Sequence, residues 1–182
     1  DAAGNAATPV VRTVTVSDST APTLTLNGAA SVNVEQGTSY IELGANASDS
    51  VDGDRSAQVV IGGAPVNASV AGTYVVTYDV SDSAGNAAAP LSRTVIVADT
   101  IAPVITLTGL GNIAHEQGSS YADAGATASD AVDGDLTASL VVNSGVDNLN
   151  AGVYTVTYTV SDAAGNAATP VVRTVTVSDS TA

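Results

Sequence analysis

The 182-residue chain contains no Cys, Met, Trp, Phe or Lys, one His and four Arg. Without Cys there are no disulfides, thiolate metal sites or Cys nucleophiles. Four scattered Arg cannot build the basic footprint that nucleic acid requires, so no nucleic-acid partner is expected. No apolar run is long enough to span a bilayer, and an anionic membrane surface repels a chain of net charge −14, so no membrane insertion is expected. With no Lys or Cys and a lone His115, most covalent mechanisms are closed. There is no initiator Met and no leader, so the stretch reads as an internal or processed segment. Aromatics make up only 3% of a chain that is 45% hydrophobic. The remainder of that 45% is nearly all Ala and Val, which suits thin β layers better than one large core.

What is present is repetition. Residues 18–98 and 99–178 are two copies of one unit. Glu35-Gln36-Gly37 aligns with Glu116-Gln117-Gly118. Asp49-Ser50-Val51-Asp52-Gly53-Asp54 aligns with Asp130-Ala131-Val132-Asp133-Gly134-Asp135, and Asp82-Ser83-Ala84-Gly85-Asn86 with Asp162-Ala163-Ala164-Gly165-Asn166. Residues 1–21 are identical to 162–182 but match 82–102 at only 13 of 21 positions. The simplest reading is an array of alternating A and B units. In this window, residues 1–17 are the terminal strand of a preceding repeat, 18–98 domain A, 99–178 domain B, and 179–182 a linker to the next repeat.

The pattern is all-β. Short alternating runs rich in Thr and Val are spaced by Gly, Asn, Asp and Pro turns. Six or seven strands in about 80 residues imply a β-sandwich. Strand A is expected near 23–27, B near 39–47, C near 56–61, F near 73–80 and G near 91–97, with the second unit following by the offset. Pro65 makes any strand over 62–70 an edge or broken one. Tyr74 and Tyr154 sit at the start of the long strand F, where a tyrosine corner of an immunoglobulin-like sandwich belongs. Val76 and Val156 then take the position of the strand F cysteine, opposite small strand B residues such as Ala45, Ala47, Ala126 and Ala128. The stretch 8–17 is a lone strand G, which cannot be stable by itself.

Ala-Pro at the start of each unit, Glu-Gln-Gly, Val-Asp-Gly-Asp, Gly-x-Tyr-x-Val-x-Tyr and Ser-Asp-x-Ala-Gly-Asn together resemble the bacterial immunoglobulin-like tandem repeats of large extracellular surface proteins and adhesins, which are similar to hyalin repeats. The resemblance covers both full units. It implies tandem immunoglobulin-like sandwiches acting as spacers or stalks at a bacterial cell surface or outside the cell. The first unit departs from it at Glu42, where the second carries Asp123, and it has Arg55 directly after Asp54.

The candidate sites are acidic. In this topology the incoming linker, the B–C loop and the F–G loop share one pole. That gathers Asp18, Asp49, Asp52, Asp54 and Asp82 in the first unit and Asp99, Asp130, Asp133, Asp135 and Asp162 in the second, with Asn86 and Asn166 beside them. Such clusters repel themselves unless a cation neutralises them, and Ca2+ takes six to eight oxygens at flexible geometry. Asp and Asn before Gly are also ordinary turn residues, so plain turns remain the alternative. Glu35 and Glu116 lie towards the opposite pole, where Glu35 approaches Asp99 in a weaker version of the metal hypothesis. Asn46 and Asn67 match N-glycosylation sequons that the second unit lacks. His115 is expected at an exposed or edge position. The six Tyr recur at equivalent strand positions and read as core rather than as a sugar platform.

These observations favour a non-enzymatic extracellular structural segment, a calcium-stiffened stalk or fibre of alternating repeats. Its partners are neighbouring repeats of the same chain or identical chains in a fibre. The alternatives are an adhesive module contacting glycan or protein, and an accessory domain of a secreted enzyme.

Overall fold

The computed structural model describes residues 1–63 and 65–180. Two runs of seven strands follow one another in the same order. The first comprises β1 (Thr23–Leu26), β2 (Ser31–Glu35), β3 (Ala45–Asp49), β4 (Gly53–Asp54), β5 (Val60–Gly63), β6 (Gly72–Asp79) and β7 (Leu91–Ala98). The second comprises β8 (Val104–Leu107), β9 (Asn112–Glu116), β10 (Ala126–Asp130), β11 (Gly134–Asp135), β12 (Val141–Ser144), β13 (Gly152–Thr159) and β14 (Val171–Ser178). Each run makes a three-stranded sheet, β1-β3-β4 or β8-β10-β11, and a four-stranded sheet, β2-β7-β6-β5 or β9-β14-β13-β12. This is the all-β, immunoglobulin-like sandwich anticipated from the repeat pattern. By contacts the described chain falls into two compact units, one of Asp1–Ala30, Glu42–Ala64 and Val75–Arg93, the other of Ser31–Ile41, Pro65–Tyr74 and Thr94–Ala182. That division does not follow the sequence repeats. Each acidic cluster and each buried arginine described below lies within one unit.

Alternation along the strands decides which side chains meet. In β7 Arg93, Val95 and Val97 are buried, and their neighbours Ser92 and Ile96 are exposed. The second core collects Ile105, Ala126, Ala128, Val156, Tyr158, Val160, Ala168, Val175 and Val177. Val76 and Val156 are buried where a disulfide-bearing sandwich would place Cys, and Ala45, Ala47, Ala126 and Ala128 are buried with them. Both tyrosine corners are formed. The Tyr74 hydroxyl donates to the Val70 carbonyl at 2.9 Å, and the Tyr154 hydroxyl to Asn150 at 3.0 Å. Tyr154→Phe is expected to cost about 1 kcal/mol, the usual net worth of such a hydrogen bond, read as a lower denaturant midpoint at unchanged m-value.

The largest fully buried side chains are not aliphatic. Arg93 and Arg173 are 1% and 0% exposed. Arg173 pairs with the Asp123 carboxylate, donates to the Tyr158 hydroxyl at 3.0 Å, and reaches the carbonyls of Leu110, Thr108 and Gly125 at 3.0, 2.6 and 3.0 Å. Arg93 pairs with Glu42 and donates to Ala29 and Asn27 at 3.0 and 2.6 Å. Each guanidinium also sits over a buried Tyr ring, at 5.7 Å from Tyr78 and 5.8 Å from Tyr158. The Tyr158 hydroxyl donates to Asp123 as well, and burial together with that carboxylate pushes its pKa up to about 12. Burial works against the Asp123 carboxylate, but the Tyr158 and Tyr121 hydroxyls and Arg173 outweigh it and hold its pKa below the ordinary range. The departure at Glu42 is therefore conservative: one methylene longer, it makes the same pair.

Strands A, F and G fall where expected, but B and C do not. Residues 39–44 are not strand, and β3 begins only at Ala45. Gly44 takes a φ of 73° and its N–H donates to the Glu42 carboxylate at 2.7 Å, so the segment that carries the acid to Arg93 turns before it can pair. Residues 56–58 form a 3-10 turn, with the Ser56 N–H held by Asp54 at 2.9 Å, and the strand starts at Val60. The short β2 and β9 lie outside the strands expected from the sequence. They run parallel to β7 and β14, and the alternation of Ser31-Val32-Asn33-Val34 was their signal.

Residues 8–22 form no strand, and Val10, Val11, Val14 and Val16 are 74–97% exposed. Residues 8–17 share their sequence with 169–178, which include β14. The same residues pair where β13 and β9 flank them and stay unpaired where nothing does, as an isolated strand must. Residues 1–5 nonetheless close a loop: Asp1 accepts the Asn5 N–H at 3.0 Å and its side-chain amide at 2.9 Å, the pattern of Asp162 with Asn166.

Candidate functional site

The acidic poles are built by two loops and a linker. In the β3–β4 hairpin, Asp49 Oδ1 accepts the N–H groups of Val51 and Asp52 at 2.7 and 2.9 Å, and Gly53, at a φ of 76°, closes the turn. Those bonds hold the Asp49 pKa below the ordinary carboxylate range. Between β6 and β7, Asp82 accepts the Asn86 N–H at 2.7 Å and its side-chain amide at 2.6 Å. Burial opposes the ionised Asp82, but these bonds prevail and keep its pKa low. Asn86 then reaches the linker, donating to the carbonyls of Asp18 and Thr20 at 3.3 and 3.4 Å. The hairpin is tied to the loop through Asp52 Oδ2, which accepts the Ser83 N–H at 2.6 Å.

The second repeat reproduces this scaffold. Asp130 holds Val132 and Asp133 at 2.7 and 3.0 Å, Asp133 holds Ala163 at 2.8 Å, and Asn166 reaches the Asp99 carbonyl at 3.2 Å. The Asp133 and Val132 N–H groups lower the Asp130 pKa. Asp99 moves the other way: burial raises its pKa, and the charges of Asp130 and Asp162 and the contact with Glu35 add to that.

The scaffold brings carboxylates together. Among the described residues, one oxygen each from Asp18, Asp49 and Asp82 lie within 4.8 Å of one another, as do oxygens from Asp99, Asp130 and Asp133. Asp49 is 9% exposed, and its Oδ2 is buried without a hydrogen-bond partner. The Oδ2 atoms of Asp99 and Asp130 are likewise buried and unpartnered. Unsatisfied buried carboxylate oxygens are costly. A hard divalent cation is ligated by oxygens of this kind.

Other expected ligands fall elsewhere. Asp54 and Asp135 are outside both groups, their carboxylates turned to the N–H of Ser56 and Thr137, each at 2.9 Å. Asp52 and Asp162 also lie outside the groups, although their counterparts Asp133 and Asp82, with equivalent hydrogen bonds, lie within them. Asn86 and Asn166 act as braces between loop and linker. Glu35 accepts the Thr100 N–H at 3.0 Å and its hydroxyl, which lowers the Glu35 pKa, and Glu116 holds Ser180 in the same way. Asn46 is exposed on β3, where its side chain accepts from Asn27 at 3.3 Å, and Asn67 caps Ser69 at 3.0 Å. His115 lies on the edge strand β9, half-buried, with its ring edge-on to Tyr121 at 5.3 Å.

This double sandwich has known relatives. The family described as bacterial surface protein, Ig-like domain, matches residues 24–97 and again 105–177. The chain belongs to this family. Among its relatives are hyalin of Strongylocentrotus purpuratus, 35% identical over 187 residues, and an uncharacterized 81.3 kDa protein of Acholeplasma phage L2, 42% identical over 124 residues. The first alignment covers 97% of this chain and the second 62%, each spanning 15% of the relative. The pesticidal crystal protein Cry22Aa of Bacillus thuringiensis is 30% identical over 160 residues, covering 82% of this chain and 21% of that protein. The chain thus corresponds to a small part of each relative. No helix among the described residues is long and apolar enough to cross a membrane.

Proposed function

We propose that the chain is a non-enzymatic, extracellular structural segment in which repeats 18–98 and 99–178 alternate as the units of a stalk or fibre, each binding calcium at its acidic pole. The observation that carries this reading is the meeting of carboxylates from separate segments around buried oxygens that have no hydrogen-bond partner: Asp49 with Asp18 and Asp82, and Asp130 and Asp99 with Asp133. Membership of a surface-protein family supports the extracellular setting, where calcium is abundant. The mechanical consequence follows from the linker. Asp18 and Asp99 precede Pro22 and Pro103, which are buried at the start of β1 and β8 and fix their own φ. An ion shared by linker and loop carboxylates ties the incoming chain to the sandwich it enters and removes a pivot.

Thermal unfolding with calcium and with chelator tests this. At free calcium about a hundredfold above Kd the folded state gains about 2.7 kcal/mol by linkage, which raises the melting temperature by many degrees in a domain of this size. Identical melting in calcium and in chelator overturns the proposal.

A further inference from the structure

The two acidic poles are not equivalent: the first groups Asp82 but not Asp52, the second Asp133 but not Asp162, and one of the positions at which they differ carries a charge. In the first repeat Arg55 follows the hairpin. Its Nη1 is 3.9 Å from Asp52 Oδ2 and donates to the Ser83 hydroxyl at 3.2 Å, and its Nη2 donates to the Ser81 carbonyl at 3.0 Å. The guanidinium therefore spans from the β3–β4 hairpin to the loop that carries Asp82. Its side chain is 18% exposed, and its Nε is buried with no partner. In the second repeat this position is Leu136, which packs against the hydrophobic core. Asp133, equivalent to Asp52, there joins Asp99 and Asp130, whereas Asp52 stays outside the group of Asp18, Asp49 and Asp82.

We infer that Arg55 is an internal counter-cation that sets the divalent-ion affinity of the first pole below that of the second. This rests on the calcium reading proposed above. The first pole already holds one fixed positive charge at its rim, 3.9 Å from Asp52, so an arriving divalent ion meets repulsion as well as attraction. The second pole has no such charge, and its two buried, unpartnered oxygens, on Asp99 and Asp130, are offered to the ion alone. The first pole still has a built acceptor, because Asp49 is 9% exposed and its Oδ2 is unpartnered. It therefore binds, but more weakly. An array of such units responds to calcium in steps, B-type repeats filling before A-type repeats.

Calorimetric titration of the 182-residue chain with CaCl2, repeated with terbium luminescence as readout, tests this. The wild type is expected to show a tight and a weak class of site separated by about tenfold, the order of effect of one nearby charge at intermediate dielectric. Arg55→Leu, which installs the residue that the second repeat already carries at this position, is expected to tighten the weak class until the two merge. Arg55→Lys keeps the charge and is expected to keep two classes. Circular dichroism of each variant establishes that it is folded. If the wild type binds calcium and folded Arg55→Leu leaves both classes unchanged, the role of Arg55 is overturned while the calcium reading stands. If the wild type binds no calcium, that reading fails and this inference fails with it.

Discussion

Arg173→Leu is expected to lower the stability of the second sandwich by about 3–5 kcal/mol, the range measured when one partner of a buried ion pair is removed. For a domain of this size that lowers the melting temperature by more than about 10 °C, which calorimetry resolves. The magnitude comes from what is left behind. Asp123 loses its counter-charge, and the carbonyls of Leu110 and Thr108 lose a donor, while that of Gly125 keeps the Thr108 N–H at 2.9 Å. The double variant Asp123→Leu/Arg173→Leu separates the pair's own worth from the cost of breaking it. It removes both charges, so its loss is expected to be smaller than that of Arg173→Leu alone, since apolar replacements of whole buried pairs are often neutral. A double variant as unstable as the single one would mean that the carbonyl contacts, not the ion pair, carry the effect.

Asp99→Asn is expected to abolish most of the calcium response of the second repeat while raising its melting temperature in chelator, because a carboxyl whose pKa is raised on folding is more stable there uncharged. The side-chain amide keeps a carbonyl oxygen to receive the N–H of Ile101, which Asp99 holds at 3.2 Å, so the linker turn survives. In place of the unpartnered Oδ2 it presents an N–H2 group, a donor for the unpartnered oxygen of Asp130, and the charge that burial, Asp130 and Asp162 disfavour is gone. The same substitution removes a ligand, and calcium affinity is expected to fall by at least about tenfold. Opposite signs in chelator and in calcium distinguish this from a simple structural lesion, which lowers both. A variant that melts lower in chelator overturns the picture of an electrostatically frustrated pole.

The features written locally in the chain were readable from it. Val51-Asp52-Gly53-Asp54 and Ala84-Gly85-Asn86 announce turns, and they form turns. Tyr74 and Tyr154 announce a corner, and each makes its bond four residues back. Residues 1–5 close the Asp–Asn loop with no sheet beside them, which shows how little of that motif depends on distant contacts. The interior polar pairing was not readable. Arg93 and Arg173 each stand near the start of a strand rich in β-branched residues, and nothing nearby marks their charge as internal. Their acids lie 51 and 50 residues away. The clue available was that Glu42 and Asp123 are both acidic and that the long strands each carry one Arg at the same register, a pairing visible only once strand neighbours are known. The split of the acidic pole had the same cause. Asp54 and Asp135 sit next to the others in sequence, but the pleat of a two-residue strand and the 3-10 turn behind it direct their carboxylates to Ser56 and Thr137. Strand pairing decided residues 8–17 and 169–178, where one sequence has two outcomes.

The burial of Arg93 and Arg173 also governs how one molecule meets another. Half of the chain's four cationic side chains are withdrawn into the interior, where each cancels one acid, and a third lies against the first hairpin. Two such molecules lying side by side therefore present nearly uniform negative fields, with almost no opposite charge to register one against the other. Their repulsion decays over about 8 Å at physiological ionic strength and about 3 Å at 1 M salt. Charge repulsion between molecules is thus a property of the medium, strong in dilute electrolyte and screened in concentrated electrolyte.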